Sequence, residues 1–414
     1  MNVIAFNPAD ARAALDQLPH CPAVFALYGA EAHAEPYIGR TPNLRGRLER
    51  LLQPSAKHPR RLQLAGRVRE IRWRLTGSEF EGLLAQFELL EKVYGAKCLE
   101  RMHLGAPAFV RFLGGNAYPR IVVTHRPSQR EADWAYGPFA SRGAAERFAD
   151  ETLKLFQLRR CTDDLAPHRD HPGCVYSEMK MCLAPCFMGC TEARYAEEAA
   201  AVEKFLATRG ESRLSALRAQ RDEASAGLEF ESAAALHAQV QRVEAVHSLA
   251  PELMRPMSHL RAVILQASAQ PDEVAVFLYE DGRLRGPAGF STVGMRIQNE
   301  SSGSSSLFAQ PVALEPIPEA DTGSAGQNQK KIPRGLLESR MDAALATLSE
   351  PAGPPSATVR QGHLALLKRW YFRPEVRRPG EIFFPNEDGQ WPIKALLRGV
   401  GRITAKGLSA APSE

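Results

Sequence analysis

Pro22-Ala-Val-Phe25-Ala-Leu-Tyr28, then Tyr37-Ile38-Gly39-Arg40-Thr41-Pro42-Asn43-Leu44-Arg45-Gly46-Arg47-Leu48, is the stretch on which the reading of the fold turns. Residues 22–28 have strand composition, Tyr37 and Ile38 begin a second strand, and the polar, alanine-rich spacer predicts a hairpin connection. Thr41-Pro42-Asn43 reads as a helix start, with Thr41 as N-cap and Pro42 at the first helical position. Leu44, Leu48, Leu51 and Leu52 fall on one face of that helix and are assigned to a core, leaving Arg45 and Arg47 to point elsewhere. A third strand is expected near Val68 to Leu75. Ser78-Glu79-Phe80-Glu81 has the spacing of a capping box, and Leu83, Leu84, Phe87, Leu90 and Val93 continue a helix to a stop at Gly95. Hairpin, helix, strand and helix make an α+β unit over residues 1–103.

The chain has 414 residues, of which 44% are hydrophobic, so several cores are possible and wholesale disorder is excluded. Its Met-Asn-Val-Ile start lacks the pattern of a signal peptide. No run reaches the roughly 18 apolar residues of a membrane span. The expectation is a cytoplasmic protein with reduced thiols and no membrane partner. A net charge of +5 decides little. Its distribution is more informative: Arg40, Arg45, Arg47, Arg50, Lys57, Arg60, Arg61, Arg67, Arg69, Arg72 and Arg74 are opposed only by Glu49 and Glu70. Such a patch suits a nucleic-acid backbone; a solvated helix face beside a basic strand edge would read the same.

Further along, residues 104–192 form a connector with a strand at Ile121 to Thr124, a helix after Ser141 and a cysteine cluster. Residues 193–250 are helical, with a break at Leu228-Glu229-Phe230-Glu231 between two helical stretches. Residues 251–297 are strand-rich, with strands at Ala262 to Ala267 and Val274 to Tyr279 and a turn at Asp281-Gly282. The Ser-, Gly-, Gln- and Pro-rich stretch 298–335 reads as a disordered linker. In a C-terminal β/α region, 336–414, helices are expected near Gly335 to Leu348 and Leu364 to Tyr371, without a legible role. Trp370, Tyr371, Trp391 and the arginines from Arg373 to Arg378 suit a core at least as well as a DNA contact.

Cys161, Cys174, Cys182 and Cys186 are crowded as Cys-x12-Cys-x7-Cys-x3-Cys. In a reducing compartment such crowding points to metal binding. The spacing lacks the paired knuckles of zinc ribbons, and four soft thiolates suit either zinc or a [4Fe–4S] cluster. Cys190, His168 and His171 are nearby as spare ligands.

The opening stretch resembles a GIY-YIG nuclease domain, and more narrowly that of the UvrC family. The resemblance continues in order through Tyr118-Pro119, Tyr136-Gly137-Pro138-Phe139, Arg160-Cys161-Thr162, Pro172-Gly173-Cys174, Cys182-Leu-Ala-Pro-Cys186 and Leu228-Glu229-Phe230-Glu231. It covers roughly residues 20–250. It implies metal-assisted phosphodiester cleavage on DNA, with Tyr37, Arg40 and Arg47 catalytic and one carboxylate holding Mg²⁺ or Mn²⁺. Three positions depart from the pattern: Phe25 stands for the first tyrosine, Gln86 for the metal-binding glutamate and Cys98 for an asparagine. Tyr28 is a possible substitute for Phe25, but three places along a strand point to the opposite face unless a bulge intervenes. An amide at position 86 supplies no anionic oxygen, and the residues sharing its helix face, Gly82, Leu83, Leu89 and Leu90, are not acidic.

The resemblance favours an iron–sulfur cluster on the four cysteines, zinc being the alternative. It also makes residues 213–248 a UVR hairpin that pairs with UvrB, with Leu228, Phe230 and Leu236 at the contact and Leu214, Leu217, Ala233, Val240 and Val243 extending an apolar seam. A hairpin packed on its own protein would show the same periodicity. Full-length members add ribonuclease-H-like and helix-hairpin-helix domains, which this chain is expected to lack. Two functions follow: a DNA-binding excision-repair protein that docks to UvrB with its nuclease impaired, or an active endonuclease making a single incision. Oligomeric state is not legible.

Overall fold

A computed structural model describes residues 1–31, 34–53, 64–162, 165–295, 333–350 and 353–409. The N-terminal unit runs β1 (Asn2–Ala5), α1 (Ala11–Asp16), β2 (Ala23–Gly29), β3 (Tyr37–Thr41), α2 (Leu44–Leu52), β4 (Val68–Leu75), α3 (Glu79–Tyr94) and α4 (Cys98–Arg101). Its antiparallel sheet has the order β1-β4-β2-β3, which leaves β3 at an edge. Phe25 pairs with Gly39 and Trp73, and Leu27 with Tyr37 and Ile71. Strand alternation therefore puts these residues on one face, where α1 and α2 complete a core with Leu44, Leu48, Leu51 and Leu52. The other face carries Val24, Ala26, Ile38, Arg40, Arg72 and Arg74 by the same register, and α3 packs there.

The start of α2 differs from expectation. Its N-cap is Asn43, whose Oδ1 accepts the Gly46 N–H at 2.9 Å. Thr41 still belongs to β3, paired with Ala23; its hydroxyl donates to the Asn43 carbonyl at 2.9 Å and shapes the turn that holds Pro42. At α3 the Ser78 hydroxyl caps the Glu81 N–H at 3.1 Å. The Glu81 carboxylate reaches the N–H of Gly77, not of Ser78, at 2.8 Å, so the box closes one residue early. Gly95, with φ of +54°, ends the helix where expected. Of the predicted core positions, Val93 alone is exposed, at 37%.

The middle unit contains β5 (Ala108–Phe112), β6 (Ile121–Thr124), β7 (Ala135–Phe139), α5 (Arg142–Lys154), α6 (Val175–Glu178), α7 (Glu192–Ala207), α8 (Glu211–Ala226), α9 (Phe230–His247) and β8 (Arg255–Pro256). Its sheet order is β6-β5-β7-β8. Val110, Phe112, Tyr136 and Phe139 from the sheet meet Phe148 of α5 and Tyr195, Val202 and Phe205 of α7. Besides the break at Leu228, the helical region has a second one at Thr208 to Gly210, where Gly210 adopts a φ of +96°.

The last unit joins β9 (Ala262–Ala267), β10 (Glu273–Glu280), β11 (Arg283–Ser291), α10 (Arg334–Leu348), α11 (Ala357–Tyr371), β12 (Glu381–Phe383) and α12 (Ile393–Ser409). The sheet order β11-β10-β9-β12 brings the strand-rich segment and the C-terminal region into one structure. Residues 298–332 of the expected linker lie outside the described residues. Arg334 and Gly335 already belong to α10, because Pro333 marks the helix start. Val263, Leu265, Val276 and Leu278 face α10 and α12. On the opposite face, Ile264, Ala275, Phe277 and Tyr279 pack with α11 and with Phe80, Leu83, Leu84 and Phe87 of α3. Helix α3 is thus buried on two sides, against its own sheet and against the C-terminal unit. Gly362 of α11 permits the approach: a Cβ there would lie 2.2 Å from the Phe87 ring. The chain is α+β, and no helix among the described residues is long and apolar enough to cross a membrane.

Candidate functional site

Tyr37 and Arg47 come together on the α2 side of the first sheet, with Arg47 Nη2 donating to Tyr37 Oη at 3.4 Å. The buried Phe25 ring lies 6.1 Å from that of Tyr37. It also covers Gly39, where a Cβ would meet the ring at 2.7 Å, so the glycine is a packing requirement of the neighbouring aromatic. Tyr28 sits on the other face beneath the Arg72 guanidinium, 4.5 Å from its ring centre. Phe25 is therefore the residue beside Tyr37, and it brings no hydroxyl.

Arg40 does not join that pair, which corrects the expected trio. Three residues from Tyr37 along β3, it projects from the opposite face. Its chain crosses Gly82 of α3, where a Cβ would fall 2.8 Å from Cδ. Arg40 Nη2 lies 3.3 Å from Glu79. Glu79 is also gripped by both terminal nitrogens of Arg373, at 2.6 and 3.0 Å. Hydrogen bonds from Arg373 first, with the charges of Arg373 and Arg40, hold the Glu79 carboxyl down to about 2.

Gln86 is half-buried on α3, and its side-chain amide makes no hydrogen bond among the described residues. Three of the four acids of that helix are engaged: Glu79 with Arg40 and Arg373, Glu81 on the Gly77 N–H, and Glu88 3.6 Å from Arg74; Glu91 lies five residues on from Gln86, round the helix from it. Burial pushes the Glu81 carboxyl up. Cys98 is fully buried in the core shared by α3 and the C-terminal unit, not in the core that holds Tyr37. Among the described residues no three His, Cys, Asp or Glu side chains converge to hold a metal ion.

The basic patch is smaller than its sequence count. Arg45 pairs with Asp16 and Glu49, Arg72 with Glu70, and Arg74 with Glu88. Arg47, Arg50, Arg67 and Arg69 make no ion pair among the described residues, while Lys57, Arg60 and Arg61 lie outside them. Trp370 is core, donating its indole N–H to Pro379 O at 3.0 Å, and Arg378 stacks 5.0 Å from the Tyr371 ring centre.

None of the four cysteines is in a disulfide; Cys182 and Cys186 are buried, Cys161 and Cys174 half-buried. Burial chiefly, then the charges of Cys161, Cys174 and Cys186, push the Cys182 thiol up to about 11. Left-handed residues Ala184 and Met188 wind the Cys182–Cys186 loop. The Ala184 N–H lies 3.3 Å from Cys182 Sγ, and Arg159 Nη1 lies 3.7 Å from Cys161 Sγ. Two of the four sulfurs thus receive N–H donors, but as placed the four side chains do not converge into a metal-holding group. His168 and His171 instead accept backbone N–H groups of Asp170 and Gly173 in local turns.

Helices α8 and α9 form the expected hairpin, but its apolar residues divide. Leu214, Leu217, Val240, Val243 and Val246 are buried in the middle unit's own core, and Leu236 is half-buried at its border. At the tip, Leu228 is 71% exposed and Phe230 70%. Leu228 is held there in a left-handed conformation with φ of +60°.

Residues 109–205 match the family described as UvrC/Cho excinuclease, middle domain. The chain is 28% identical to the UvrABC system protein C of Alcanivorax borkumensis over 272 residues, 65% of this chain and 44% of that protein. It is 31% identical to the Pseudomonas syringae protein of the same name over 220 residues, 53% of this chain and 35% of that one. With the Aliivibrio salmonicida protein the identity is 29% over 242 residues, 58% and 39% of the two chains. No solved structure matches. The chain spans less than half the length of these relatives, to which it is similar over between about half and two thirds of its own length.

Proposed function

We propose that this chain is a UvrC-like DNA-binding protein of nucleotide excision repair that docks to UvrB, with a GIY-YIG-like domain impaired in cutting. The observation that carries the reading is the hairpin tip. Leu228 and Phe230 stand in water although Leu214, Leu217, Val240 and Val243 of the same seam are buried, and exposed apolar side chains rimmed by polar ones mark a protein contact. DNA would lie against Arg47, Arg50, Arg67 and Arg69. Impaired cutting follows from Gln86, whose amide gives a hard cation no anionic oxygen. Cys161, Cys174, Cys182 and Cys186 would hold a [4Fe–4S] cluster, or alternatively zinc, cross-linking a loop-rich segment that has little core of its own. Immobilised UvrB should retain the wild-type chain and lose Phe230→Asp; equal retention of both would reject the docking site.

A second reading, an active endonuclease making a single incision, is favoured by the Tyr37–Arg47 contact. There Mg²⁺ or Mn²⁺ would stabilise the leaving oxygen, Arg47 would neutralise the phosphate, and the Tyr37 hydroxyl would orient water. Incubation with nicked, damaged and UvrB-loaded DNA in either metal separates the readings. Cleavage abolished by Arg47→Ala establishes the enzyme.

A further inference from the structure

A cavity of about 710 Å³ opens where the middle unit meets the C-terminal unit, far along the chain from every residue discussed as catalytic. Its size is that of a small-molecule site, and junctions between units are where such sites occur. Pro107, Phe109, Met257 and Leu364 supply an apolar wall. The charged lining is Arg126, Arg285 and Arg360 against a single acid, Asp281. Arg285 is already engaged, 2.9 Å from Leu348 O and 3.7 Å from Glu280. Arg126 makes no ion pair among the described residues. Arg360 is braced by donating to Pro355 O at 2.6 Å and by resting on Gly282, where a Cβ would lie 2.9 Å from its chain.

Two further features give the cavity polarity. The first turn of α11, at Ala357, forms part of its wall, and a helix N-terminus favours an anion. Tyr279 also lines it; the residue is 2% exposed, yet its hydroxyl has no hydrogen-bond partner among the described residues. A hydroxyl at the end of an otherwise buried ring, without a protein partner and lining the cavity, is placed to bond a ligand there. Gln129 and Gln361 add amides that both donate and accept.

We propose that this cavity binds a nucleotide, its base against the apolar wall with Tyr279 and a glutamine amide on the base edge, and its phosphate at Arg126, Arg360 and the start of α11. The nucleotide reaches it either free or as part of a single DNA strand. The site is independent of UvrB docking and of phosphodiester cleavage.

The test titrates the full chain with dAMP and with a short oligo(dA) strand, following binding by calorimetry or anisotropy. Arg126→Glu and the cavity-filling Gln361→Trp should each weaken binding about tenfold or more, as expected for losing a charge-assisted contact. Tyr279→Phe should weaken it several-fold while leaving the melting temperature unchanged or higher, which separates lost binding from lost folding. Binding of dAMP that competes with the strand identifies the free nucleotide as the ligand; strand binding that depends on the three residues without dAMP binding identifies the strand. Absence of both, binding indifferent to the three substitutions, or inorganic phosphate binding as tightly as dAMP would overturn the proposal. UvrB retention by the same variants reads the docking site separately.

Discussion

Replacing His363 by glutamine should remove a specific part of the protein's acid sensitivity. His363 is 5% exposed and sits at the seam where α11, β11 and α3 meet. Its Nδ1 accepts the Leu284 N–H at 2.9 Å, and its ring meets that of Phe87 edge-on, 5.1 Å between centres. Burial first, then the Arg283 charge, holds the imidazole down to about 4 from 6.5. The unfolded chain takes up this proton below about pH 6.5, whereas the folded protein does so only near 4. In that window the unfolded state binds more protons, so stability is full above 6.5 and falls as the pH is lowered. The difference of about 2.5 pH units, at about 1.4 kcal/mol each, amounts to about 3 kcal/mol.

Glutamine can still accept the Leu284 N–H but takes no proton in this range. Urea unfolding followed by tryptophan fluorescence, with Trp370 in the same core, should be run at pH 7 and 4.5 for both proteins. Effects of the carboxylates common to both cancel in the comparison. Between these pH values wild type should lose about 2.5 kcal/mol more than the variant. Equal losses, to within about 0.5 kcal/mol, would show that the imidazole is not sealed in neutral form. The seam between α3 and the C-terminal unit would then not be closed as described.

Gly39→Ala should destabilise the N-terminal unit by about 1–3 kcal/mol in thermal melts, because its methyl meets the Phe25 ring, and Phe25→Leu should restore most of the loss. Arg373→Ala should cost less than about 1 kcal/mol, since its partner Glu79 is 40% exposed. NMR should then find the Glu79 carboxyl back towards 4.5; because the folded value is the lower one, the stabilisation lost is that present above pH 4.5 and absent near 2. Phe230→Asp should shift stability by less than about 0.5 kcal/mol, its side chain being exposed, yet abolish capture by UvrB. Cys182→Ser should remove the broad absorption near about 400 nm expected of anaerobically purified protein if a thiolate-bound iron–sulfur cluster is present.

Local pattern made much of the N-terminal unit legible. The β2–β3 hairpin, the Leu44 to Leu52 face and the Ser78 to Gly95 limits of α3 each follow from residues a few places apart. The placement of Arg40 follows from the same rule: the alternation that separates Tyr28 from Phe25 separates Arg40 from Tyr37 equally. Other features lay beyond local reading. Asp16 is 29 residues from Arg45, and Arg373 is 294 from Glu79. The three-residue strand β12 shows no alternation long enough to announce its pairing with β9. The hairpin seam was legible as apolar, but which half of it the middle unit buries depended on Tyr195, Phe205 and their neighbours.

These long-range contacts bear on position 86. A nuclease helix must leave its metal ligand open to water and substrate, and β3, as an edge strand, is where the α2 and α3 faces of the sheet meet. Here α3 is packed on two sides, and Glu79 at its start ties Arg40 to Arg373 of the C-terminal unit. A carboxylate at 86 would be half-buried, a desolvation cost that a bound divalent cation or a neighbouring arginine would have to offset. Glutamine carries no such cost, whether or not metal is present. The amide, the engaged Arg40 and the second packing surface on α3 therefore act in one direction. On the reading proposed above they leave α3, which still carries Glu79, Glu81, Glu88 and Glu91, as a packed spine between the N-terminal and C-terminal units.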